Sequence, residues 1–92
     1  MIKVIGNDFM RGGEKIGWIE GDHIFDHTGR KLGYASGNNI YDIGGMKIGW
    51  IEGDYLFAPG NKKIRLDEVH AEIQGGVLTE AQRAAVRVLL GD

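Results

Sequence analysis

Asp22-His23 and Asp26-His27 form the densest group of titratable side chains in the sequence. Two histidines four residues apart, each beside a carboxylate, are the raw material of a metal site or a proton relay. Neutral imidazole ligates zinc and titrates near physiological pH. In an extended strand that spacing would put both rings on one face. The chain repeats itself, however, and the repeat weighs against this chemistry. The position of His23 becomes Asn39 and then Tyr55, and that of His27 becomes Ile43 and then Pro59. Asp22 and Asp26 fall where Asx residues shape turns. His23 and His27 therefore stand as the metal candidates but are expected to be exposed hairpin residues. His70, between Glu68 and Glu72, reads as part of a solvated face. No cofactor is implied.

A second constellation is a row of rings. Trp18, Phe25, Tyr34, Tyr41, Trp50 and Phe57 occupy equivalent places in successive repeats, so they are expected to form a ladder on one face. Exposed, such a ladder would stack on sugar rings or hold a quaternary amine through cation–π attraction. Buried, it would be the core, where aromatic side chains dominate the energetics and cross-strand pairs contribute roughly 0.2–1 kcal/mol each. A chain of 92 residues has few aromatics to leave in water, so burial is the favoured expectation.

Other chemistries find little support. Cysteine is absent, which removes disulfides, thiolate metal sites and thiol nucleophiles together. Lys62-Lys63-Ile64-Arg65 is the one basic run in a chain of net charge -2, short of the clustered positive surface that nucleic acid requires. Gly12-Gly13-Glu14-Lys15-Ile16-Gly17 lacks the Gly-Lys-Ser/Thr ending of a phosphate loop. Paired carboxylates occur only at turn tips, and nothing assembles a catalytic constellation. No apolar run reaches the ~18 residues of a membrane span, and the first residues do not read as a signal peptide. A cytoplasmic location is expected.

The elements that position these residues follow from the repeat. Lys15-Ile16-Gly17-Trp18-Ile19-Glu20-Gly21-Asp22 recurs unchanged from Lys47 to Asp54, and a looser copy runs from Lys31 to Asn38. The step is sixteen residues, kept by Ile16, Leu32, Ile48 and Ile64, with a degenerate copy at Ile2 to Gly13. Gly6-Asn7, Gly21-Asp22, Gly37-Asn38 and Gly53-Asp54 are Gly-Asx pairs between alternating apolar residues, as two-residue type II′ hairpin turns demand. The implied register pairs Glu20 with His23, Ile19 with Ile24, Trp18 with Phe25 and Gly17 with Asp26. Tyr34 then faces Tyr41 and Trp50 faces Phe57. Asp26-His27-Thr28-Gly29 and Asp42-Ile43-Gly44-Gly45 are expected to join the hairpins through Asx turns that close on a left-handed glycine.

Alternation sorts the side chains into two faces. Ile16, Leu32 and Ile48 share the face of the rings, while Ile19, Ile24, Ala35, Ile40, Ile51 and Leu56 lie on the other with Gly17, Gly33 and Gly49. A half-solvated antiparallel sheet normally has one polar face, so something must cover the second. Thr79-Glu80-Ala81-Gln82 opens a capping box, followed by Ala84, Ala85, Val88 and Leu89 at helical spacing. Asp67 to Gln74 reads as a shorter helix, or with Ile64 and Leu66 as a last strand.

Gly17-Trp18 and Gly49-Trp50 at the head of a hairpin, followed by Gly21 or Gly53 and by Phe25 or Phe57, are similar to choline-binding repeats of surface proteins over Ile16 to Gly60. Those repeats carry a Trp-Tyr-Tyr cluster in the second strand where this chain has Ile24-Phe25, Ile40-Tyr41 and Leu56-Phe57. Phe25-Asp26-His27-Thr28-Gly29-Arg30 resembles the Tyr-Asp-x-x-Gly-Arg motif of YD repeats in secreted toxins, a turn signature common to many hairpins. Neither resemblance assigns a family.

The expected protein is a single domain over residues 1–92, mainly β (α+β). It comprises an antiparallel meander of about four sixteen-residue hairpins (1–64), curled or barrel-like, and a helical segment (65–92) ending in an α-helix. The expected role is a non-enzymatic structural or protein-interaction module whose partner is itself or another protein, without nucleic acid or membrane. The alternative is a small-ligand or carbohydrate-binding module using the six rings.

Overall fold

The structure is a computed structural model and describes residues 1–91. Asp92, the end of the expected helical segment, lies outside the described residues. Eight strands form the meander: β1 (Ile2–Ile5), β2 (Asp8–Arg11), β3 (Glu14–Glu20), β4 (His23–Asp26), β5 (Lys31–Ser36), β6 (Asn39–Asp42), β7 (Lys47–Glu52) and β8 (Tyr55–Ala58). β9 (Lys62–Arg65) extends it, followed by α1 (Leu66–Glu72), the short β10 (Ile73–Gln74) and α2 (Glu80–Leu89).

The hairpin corners are those the glycines dictate. Gly6, Gly21, Gly37 and Gly53 all hold φ near +60° (58–61°), and the following Asx does not, as in a type II′ turn. The register follows: Glu20 opposes His23, Trp18 opposes Phe25, Tyr34 opposes Tyr41 and Trp50 opposes Phe57. Between hairpins, the Asp26 Oδ1 accepts from the Thr28 Oγ1 at 2.6 Å, the Thr28 N–H at 2.9 Å and the Arg30 N–H at 3.1 Å. Asp42 does the same for Gly44 and Met46. Hydrogen bonding from Thr28, first through its hydroxyl, holds the Asp26 carboxyl below its ordinary pKa.

The strand order is β10-β1-β2-β3-β4-β5-β6-β7-β8-β9, antiparallel except that β10 pairs with β1 in parallel. The sheet is unclosed, with β9 and β10 as its edges, and it is curled as expected, because ten strands about 4.8 Å apart laid flat would exceed the molecule's longest extent of 31 Å. Ten strands rather than eight result. Ile64 does open a further strand, and within the segment expected to be helical Ile73 turns back to pair with Ile2. α1 carries the chain from β9 to β10, which lies beside β1 at the other edge of the sheet.

The core lies on one face only. Phe9, Ile24, Ile40 and Leu56, each three residues after a corner glycine, are fully buried (0% exposed). Their cross-strand partners Val4, Ile19, Ala35 and Ile51 are buried with them. α2 covers this face, packing against β4 to β7 and β10. Thr79 caps it with the full reciprocal capping box to Gln82. Gly17, Gly33 and Gly49 form the floor beneath its last turn. A Cβ at those positions would first meet the main-chain carbonyl oxygens of Phe25, Tyr41 and Phe57, and from the side of α2 Leu90 Cδ1 at 3.1 Å, Leu89 Cδ1 at 3.1 Å and Val88 Cγ2 at 3.8 Å respectively. The neighbouring strand's backbone therefore explains glycine inside these strands, and Val88, Leu89 and the C-cap Leu90 lie over the three positions.

Candidate functional site

With the inner face closed by α2, the rings stand on the outer face. Burial was the expectation for them, and the structure departs from it: Trp18, Phe25, Tyr34, Tyr41 and Phe57 are half-buried, and Trp50 is 37% exposed. Sequence alternation offers two apolar faces and does not rank them. The glycines rank them, because Gly17, Gly33 and Gly49 leave gaps among the inner side chains where the end of α2 sits close to the sheet.

The rings are ordered in pairs. Trp18 stacks on Phe25 (centroids 5.4 Å apart, planes 9° apart), Tyr34 on Tyr41 (5.0 Å, 15°) and Trp50 on Phe57 (5.2 Å, 12°). Each pair also receives a lysine. The Lys15, Lys31 and Lys47 ammonium groups lie 5.0, 5.5 and 5.1 Å from the ring centroids of Trp18, Tyr34 and Trp50. Lys63 closes the series over Tyr55 at 4.2 Å and Phe57 at 5.8 Å. Each lysine comes from the connecting-turn end of the strands rather than from the position of the stacked partner. Lys31, for instance, opposes Phe25 on β4, while Tyr41 lies across on β6.

A bulge makes this possible. The register shifts between Phe9 and Met10, between Ile24 and Phe25 and between Ile40 and Tyr41, at the same point of each repeat. The extra residue lets neighbours face apart. The lysine lies over the ring, and Ile16, Leu32 and Ile48, expected on the aromatic face, pack against the core. The lysines were the residues that motif reasoning passed over. Their signal was present, since Lys15, Lys31, Lys47 and Lys63 keep the sixteen-residue step.

The outer face is therefore a ladder of cation, ring and ring, repeated three times and ended by a lysine. Trp18, Tyr34 and Trp50 each have both a stacked ring and an ammonium beside them, whereas Phe25 and Tyr41 have the stacked ring alone. An aromatic quadrupole is negative on its face and positive at its edge. The first hairpin departs from this pattern. It has Lys3 opposite Met10 where the others have stacked rings, and leaves Ile5 61% exposed. A shallow depression of about 380 Å³ lies there, among Met1, Lys3, Ile5, Met10, Gly12 and Gly13.

The remaining candidates are dispersed. His23 is exposed on β4 with its ring 5.6 Å from that of Tyr34, and His27 lies in the following turn. No group of three or more His, Cys, Asp or Glu side chains able to hold a metal occurs among the described residues. His70 faces Glu80 at 3.7 Å on the surface. Among the described residues, no helix is long and apolar enough to cross a membrane.

Compared with known proteins, residues 8–82 match the model of a family described as the 4-fold beta flower protein, a match covering well over half of the chain. The chain belongs to the 4-fold beta flower family. Three of the four Gly-Asx corners, Gly21-Asp22, Gly37-Asn38 and Gly53-Asp54, lie within the matched residues, and Gly6-Asn7 lies before them. No match was found among curated proteins or among solved structures. The family match ends three residues into α2, so Val88, Leu89 and Leu90, the residues over the glycine floor, lie beyond it.

Proposed function

We propose that this beta flower is a non-enzymatic protein-interaction module that associates with further copies of itself. The observation that carries the reading is one-sided coverage. α2 covers the inner face alone, and the outer face keeps its ring pairs half in water together with Ile5 (61% exposed), while Ile43 (61%) and Met46 (68%) are exposed in the turn between β6 and β7. Isolated exposed apolar residues are ordinary, but a repeated row of large rings beside them is surface that association would bury. Sedimentation velocity across a concentration series tests this. Mass should rise with concentration in the tens of micromolar, and a clean monomer throughout would overturn the proposal.

The small-ligand or carbohydrate reading has one observation in its favour, the half-exposure of Trp18, Tyr34 and Trp50. Against it stand the stacked partner and the lysine that each of these rings already has. A sugar or quaternary amine needs an open face, and the chain's own lysines compete for it. Saturable quenching of tryptophan fluorescence by a sugar or by choline would favour this alternative.

A further inference from the structure

The meander places all hairpin corners at one end of the molecule and all connecting turns at the other. The two ends differ in charge. Glu20, Asp22, Glu52 and Asp54 are exposed at the corner end, where α1 also begins with Asp67 and Glu68. At that end the one basic side chain in a strand, Arg65, is paired with Asp67 at 3.3 Å. Lys31, Lys47, Lys62 and Lys63 start their strands at the opposite end. None of these four lysines has an ion pair among the described residues, and the nearby Asp26 and Asp42 carboxylates are turned into their own turns. Acid and base thus recur in the same repeat at opposite ends of the hairpins.

From this complementarity we infer that copies of the chain associate head to tail, the acidic corner end of one seating on the lysine end of the next. The inference rests on the self-association proposed above and adds to the ring face a second contact surface, at the two ends of the hairpins. Edge-to-edge pairing is the other obvious mode for an open sheet. β9 opposes it, because Lys62, Lys63 and Arg65 would meet the same residues of a copy related by two-fold symmetry. A head-to-tail contact joins two different surfaces and leaves one of each free, so it propagates into a ring or a filament rather than stopping at a dimer.

The test uses the intact chain and two charge-reversed variants, Glu20→Lys/Glu52→Lys at the corner end and Lys31→Glu/Lys47→Glu at the other. For the wild type, association should weaken at least tenfold between about 0.01 and about 1 M salt, where the screening length falls from about 30 to about 3 Å. Each variant alone should sediment as a monomer, and an equimolar mixture should associate again. The corner-end variant changes only exposed side chains, and far-UV circular dichroism verifies its fold, so it decides the matter if the lysine variant unfolds. Wild-type association that is indifferent to salt and to both reversals would overturn the head-to-tail mode and leave self-association standing. A monomeric wild type at low salt would overturn both.

Discussion

Gly33→Ala puts one methyl group into the tightest part of the fold, and its effect follows from what that methyl meets. The new Cβ would overlap the main-chain carbonyl oxygen of Tyr41 on the neighbouring strand, with Asp42 Cα at 3.3 Å and Leu89 Cδ1 at 3.1 Å. Leu89 can rotate, but the Tyr41 carbonyl is part of the ladder and moves only with its strand. Overpacking a core by a methylene group costs about 1–3 kcal/mol, and a backbone obstacle belongs at the upper end. Ala restricts the unfolded chain more than Gly, which returns about 0.4–1 kcal/mol. The net loss is about 2 kcal/mol. For a domain of this size that lowers Tm by roughly 8–16 °C and the urea midpoint by about 1–2 M. Gly17→Ala, facing the Phe25 carbonyl, should match it, and Gly49→Ala should cost less because the Phe57 oxygen stands at 2.9 Å. A double-mutant cycle with Leu89→Ala separates the two obstacles. If the Tyr41 carbonyl decides, Gly33→Ala should cost the same in either background to within about 0.5 kcal/mol. Full rescue by Leu89→Ala, or a Gly33→Ala stability within about 0.5 kcal/mol of wild type, would refute this account of the floor.

Three further outcomes are expected. Asp26 is a carboxylate whose pKa is lowered by folding, so its stabilising effect is complete above the unfolded value of 3.8 and is lost as pH falls through the lower folded value. Asp26→Asn should therefore flatten the fall of Tm with pH in acid, and an unchanged slope would count against the turn as the cause. Thr79→Ala removes the cap of α2 and should cost about 1 kcal/mol in urea unfolding, while Thr79→Ser should restore most of it. Lys47→Ala strips the ammonium from one face of Trp50, an interaction of about 0.5–1 kcal/mol at an exposed site, and should increase acrylamide quenching of tryptophan emission. Unaltered quenching would mean that the lysine does not guard the ring.

Legibility in this chain divides by the distance over which the physics acts. Corner glycines, Asx turns and cross-strand register are fixed within about eight residues, so the pairing of Trp18 with Phe25 could be counted out from Gly21-Asp22. The pairing of Ile2 with Ile73 spans almost the whole chain and carries no turn signature, so the parallel closing strand was invisible. The candidate surface lies between these cases. The rings and their order were legible, but burial was assigned to them on the general economics of small cores. That reasoning treats apolar area as the only variable, whereas a helix packing on a sheet also needs room. Phe25 and Tyr41 project outward at the height where Gly17 and Gly33 leave the inner face bare, so a helix can approach from the inner side alone. The inner residues Ile24, Ile40 and Leu56 then fill the layer beneath it at full burial, and the rings are left to one another and to the lysines. Absence of a side chain at three positions sixteen residues apart therefore decided which face became the core. It also decided that the largest side chains of the protein would form its outer surface.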